Sequence, residues 1–65
     1  MKSTKQSHAA TARKDGEWWL IEVPELDIVG QARSVTECTA VASEIIGLWL
    51  DVDPETIDVM VTIEN

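Results

Sequence analysis

The segment SVTECTAVASEIIGLWL, residues 34–50, repeats its apolar side chains on a helical period, whereas the runs around it alternate in twos. Val35, Cys38, Ala42, Ile45 and Trp49 fall at i, i+3, i+7, i+10 and i+14, a single stripe along a helix. Val41, Ile46 and Leu48 widen that stripe, and Trp49 is placed on its core side. Ser34 and Glu37 have the spacing of a capping box, which marks the start of the helix. Gly47 weakens a helix by roughly 1 kcal/mol relative to Ala. Close approach of another backbone would account for it, and so would drift.

Downstream, DVDPET (51–56) closes the helix and predicts one further turn, with Asp53 capping and Pro54 in first position. IDVMVTI (57–63) alternates as a strand, with Ile57, Val59, Val61 and Ile63 inward and Asp58, Met60 and Thr62 outward. Upstream, AATARK (9–14) and EWWLIEV (17–23) flank Asp15-Gly16, a hairpin signal that fits a type I′ turn. In the second of these strands Trp19, Ile21 and Val23 form an apolar face, and Trp18, Leu20 and Glu22 point the other way. Pro24 ends it, because proline cannot donate to a ladder. IVGQARSV (28–35) carries a third strand, in which Gly30 suggests a bulge or a bend.

The order is therefore β-β-β-α-β, a two-layer α+β sandwich with a single helix on one face of a four-stranded, mainly antiparallel sheet. Nothing in the sequence covers the other face. Trp18, Leu20, Glu22 and Met60 lie there and are the candidate protein-interface residues. An indole half covered by its own leader or a cross-strand neighbour would need no partner. Beside Leu20 on a bare sheet, Trp18 reads as an interface anchor, since Trp is enriched among binding hot spots.

Sixty-five residues make one small domain, expected over 9–65 behind a flexible basic leader, 1–8. A chain this size buries only about 60% of its unfolded surface, so reinforcement is expected. Cys38 has no second cysteine to pair with and His8 is the only histidine, which argues against a disulfide and a Cys-based metal site and in favour of a partner chain. An unpaired thiol and the absence of a secretory or membrane-length apolar run point to the cytoplasm. Charge is divided: residues 1–14 hold four cations and no acid, and residues 15–65 hold all twelve acids against Arg33 alone. Such a body repels nucleic acid and attracts basic surfaces, although solubility alone would also explain the charge.

No catalytic constellation assembles. His8 lies in the polar leader with no fixed Ser, Cys or carboxylate partner to orient it, and the three glycines are isolated. Asp51, Asp53 and Glu55 read as a solvated acidic turn, and Cys38 as a small core hydrophobe. No catalytic, metal or cofactor residues are assigned, and a non-enzymatic protein is expected.

The stretch from Trp18 to Ile63 resembles the N-terminal domain of HicB-type antitoxins, which has a partial RNase H-like fold. The resemblance lies in VPEL (23–26), the short strand after it, SVTEC (34–38) with its long apolar helix, and DPETIDVMVTI (53–63). It implies a last strand parallel to the first, hence the sheet order 3-2-1-4. It also implies a partner: HicB proteins mask HicA, a small basic ribonuclease, and commonly assemble as dimers or larger. The chain departs from the pattern at Asp27-Ile28 and Ala32-Arg33, and it is expected to lack the DNA-binding domain of full-length HicB. The expected function is therefore a protein-binding module that masks a basic HicA-like toxin or a repurposed partner. The alternative is a homo-oligomer joined through its bare sheet face or edge strands.

Overall fold

The computed structural model describes residues 6–64. Its elements are β1 (Gln6–Asp15), β2 (Trp18–Val23), β3 (Ile28–Ala32), a 3₁₀ turn (Val35–Glu37), α1 (Cys38–Leu50), a second 3₁₀ turn (Pro54–Thr56) and β4 (Ile57–Glu64). The strands form one open sheet in the order β3-β2-β1-β4. β1–β2 and β2–β3 are antiparallel, and β1–β4 is parallel. The α+β architecture and the 3-2-1-4 order are those expected.

β1 begins at Gln6, inside the segment expected to be a flexible leader. Its first residues are held by β4, which pairs Gln6 with Ile57, Ser7 with Asp58 and His8 with Val59. Residues 1–5, with Lys2 and Lys5, lie outside the described residues. The β1–β2 loop also differs from expectation. Asp15 pairs with Trp18, so the loop residues are Gly16 and Glu17, and only Gly16 has positive φ, at 65°. That sign pattern is type II′, with Gly in first position, and not type I′, which needs positive φ at both.

The face under the helix carries Ala10 and Ala12 from β1, Ile21 and Val23 from β2, Ala32 from β3 and Ile57 from β4. Cys38, Ala42 and Ile46 close on it from above. Small residues recur at the contact, and this lets the helix sit low. At Gly30 a Cβ would lie 3.1 Å from Ile45 Cδ1 and 3.6 Å from Val41 Cγ1. Gly30 pairs regularly with Ile21, so it marks close helix approach and not a bulge.

Burial on α1 follows Cys38, Ala42, Ile46 and Leu50, an i, i+4 line that drifts around the helix by about 40° per step. Trp49, expected on the core side, is left off that line and is 61% exposed. The capping box does not form either. The 3₁₀ turn intervenes, α1 starts at Cys38 without a side-chain cap, and the Ser34 hydroxyl meets Thr36 Oγ1 at 3.0 Å.

The other end of the helix is closed tightly. Asp51 takes the left-handed conformation, φ 59° and ψ 48°. Val52 N–H then donates to the Gly47 carbonyl over 2.9 Å, the six-to-one bond of a Schellman motif. The chain folds back so closely that a Cβ on Gly47 would meet Val52 O at 3.0 Å and Pro54 Cγ at 3.2 Å. Of the two explanations for Gly47, close backbone approach is the one the geometry supports. Asp53 caps as expected, its Oδ1 accepting from Glu55 N–H at 3.1 Å.

Candidate protein interface

Alternation along β2 places Trp18, Leu20 and Glu22 on the face away from the helix. Among the described residues no helix covers this face. Register decides which of its residues meet. Leu20 pairs with Gln31 and Arg13, and Glu22 with Val29 and Thr11. The apolar part is therefore a strip along β2 and β3: Trp18, Leu20 and Val29. Trp18 is 38% exposed and Val29 59%. Between them Leu20, Val29, Gly30 and Gln31 line a shallow depression of about 350 Å³.

Met60, 75% exposed, is on the same face but elsewhere. It pairs with Ala9, six residues along β1 from Asp15, the partner of Trp18. At a strand rise of about 3.3 Å per residue this puts Met60 roughly 20 Å from Trp18. Three of the four expected interface residues are thus brought together and the fourth is not. The strand between them presents Ala9, Thr11 and Arg13, so no apolar bridge joins the two.

Arg33 follows β3 and brings its guanidinium to 5.0 Å from the centroid of the Trp18 indole. On the helix side Lys14 Nζ lies 5.6 Å from the Trp19 ring. Both indoles are therefore partly covered by cations of their own chain. Sequence reasoning missed both pairs. Cross-strand register brings each together, and neither pair is visible as a local spacing.

The described lysine and arginine side chains gather at one end of the sheet, beside the acids Asp15, Glu17 and Glu64. Arg13, Lys14 and Arg33, the only Lys or Arg among the described residues, all lie at the β1–β2 hairpin end. At the opposite end the β2–β3 turn supplies Glu25 and Asp27, and the chain from α1 into β4 supplies Asp51, Asp53, Glu55 and Asp58. The negative end of the α1 dipole points the same way, with no basic residue in its last turn.

His8, expected in the leader without a fixed partner, lies in β1 at this acidic end, with Nδ1 2.8 Å from Glu25 Oε1. Its imidazole is largely covered, and the pair ties the start of β1 to the β2–β3 turn. No group of three or more potential metal ligands occurs among the described residues. Cys38 is buried beneath the helix, and its thiol donates to the Ser34 carbonyl at 3.5 Å. Burial raises its pKa above the ordinary 9.0, and the neighbouring Glu37 carboxylate adds to the rise. Among the described residues no helix is long and apolar enough to cross a membrane.

No protein-family model matches this chain, and no curated protein or solved structure matches it.

Proposed function

We propose that this chain is a non-catalytic protein-binding module, antitoxin-like, which docks a small basic protein on the face of its sheet that no helix covers. The observation that carries the reading is the apolar strip of Trp18, Leu20 and Val29 on that open face, in a body whose net charge is strongly negative. Long-range attraction brings a basic partner in, and burial of the strip holds it. Glu22, half-buried at the centre of the face, supplies a carboxylate for a cation of the partner. The resemblance to HicB-type antitoxins supports a ribonuclease of the HicA kind as that partner. Incubating such a ribonuclease with excess of this protein is expected to abolish RNA cleavage. Undiminished cleavage would remove the reading.

A second reading has an observation of its own. β3 and β4 both expose an unpaired backbone edge among the described residues, and such edges invite pairing with another copy. In this reading the chain is a homo-oligomeric structural or regulatory protein. Sedimentation velocity at micromolar concentration tests it, and a species of monomer mass throughout eliminates it.

A further inference from the structure

The last turn of α1 holds two more exposed apolar side chains, well away from the sheet face. Leu48 is 82% exposed and Trp49 61%, the largest exposures among the large hydrophobic residues apart from Met60. The turn that follows folds back on Gly47, and it carries Asp51, Asp53 and Glu55 within six residues of Trp49. Among the described residues, Lys and Arg are absent from Ser34 onward. Trp49 is therefore the one indole of the three with no cation over its ring among the described residues.

We infer that Leu48 and Trp49 form a second docking surface, which takes a basic segment of a partner protein carrying an apolar residue between arginines or lysines. Charge complementarity selects this occupant. A second copy would bring the same carboxylates and the same negative helix end face to face, which repels. Nucleic acid and anionic membranes are repelled for the same reason. A basic segment gains three ways. Its apolar residue packs on Leu48, a cation stacks on Trp49 as Arg33 does on Trp18, and further cations meet Asp51, Asp53 and Glu55. The inference rests on the proposed function in taking the partner to be basic. It differs in the surface used.

The three indole N–H groups give one NMR reporter at each location. The full-length, ¹⁵N-labelled protein is titrated with a synthetic peptide of alternating arginine and leucine, and with a control peptide carrying glutamine in place of arginine. A saturable shift of the Trp49 indole by the arginine peptide alone is expected. Trp49→Ala and Asp51→Asn are expected to weaken binding of the fluorescently labelled peptide, at least tenfold for the first. An unchanged urea midpoint establishes that the variants fold. A shift confined to Trp18 overturns this inference while supporting the sheet face as the docking surface. No saturable shift at any indole overturns it too, and ribonuclease masking then decides the proposed function separately. Equal binding of the glutamine peptide, or a peptide-free dimer that Leu48→Ser dissociates, also overturns it.

Discussion

The Arg33 guanidinium lies 5.0 Å from the centre of the Trp18 indole, so the tryptophan of the open sheet face is partly roofed by the only basic residue that follows the β1–β2 hairpin. A partner that docks on Trp18 must slide this cation aside or share it. Removing it by Arg33→Ala is expected to cost about 0.5–1 kcal/mol of stability, the usual size of a solvent-exposed cation–π contact. Urea denaturation measures the loss. Acrylamide quenching of Trp18, isolated in a Trp19→Phe, Trp49→Phe background, is expected to rise. Unchanged quenching would mean that Arg33 does not shield the ring.

Gly47→Ala sets two effects against each other. Alanine improves helix propensity by about 1 kcal/mol. The new methyl would sit 3.0 Å from a backbone oxygen and 3.2 Å from a proline ring, neither of which is the free end of a flexible side chain. Crowding of this kind typically costs 1–3 kcal/mol, so a net loss of about 1 kcal/mol is expected. A stability gain on urea denaturation would show that the 52–54 segment moves away easily.

Asp51→Gly should do the reverse. Asp51 occupies the left-handed region, φ 59°, where side chains other than glycine cost roughly 1 kcal/mol or more. Glycine keeps the Schellman closure and removes that cost, so a gain of about 0.5–1 kcal/mol is expected in the thermal or urea midpoint.

Cys38 gives a pH test. Its folded pKa lies above the ordinary 9.0, so between 9.0 and the raised value the unfolded chain releases the thiol proton and the folded chain keeps it. The thiol's contribution to stability is therefore complete below pH 9 and declines as pH rises beyond it. The difference in stability between the wild type and Cys38→Ala is expected to narrow above pH 9. Alkylation by iodoacetamide at pH 8 should be slow in the folded protein and fast in urea. Fast alkylation without denaturant would contradict a buried, protonated thiol.

The sequence revealed most where a pattern was local. The period change at residue 34 places the helix, and the alternation in 17–23 sorts Trp18 from Trp19 correctly. It was silent where the third dimension decides. Ser34 and Glu37 have the spacing of a cap, but a 3₁₀ turn takes up those residues before α1 begins. Trp49 has the angular position of a core residue, but burial follows the oblique Cys38–Leu50 line and passes it by. Residues 6–8 lack an apolar run and become a strand because β4 lies beside them. At the candidate interface the face was legible and its geography was not. The separation of Met60 from Trp18 depends on the register of three strands, which no single segment encodes.

The parallel pairing of β1 with β4 bears on how the chain is made. Of these four strands, the first to be made occupies an inner position, flanked by the second and by the fourth. Until Ile57–Glu64 has been synthesised, one side of β1 has no neighbour, and the nascent chain carries an open ladder next to its future core. Pairing of this kind, distant along the chain, is slow to form. The window in which the newborn chain can adhere to others through this edge therefore closes only once Ile57–Glu64 has paired.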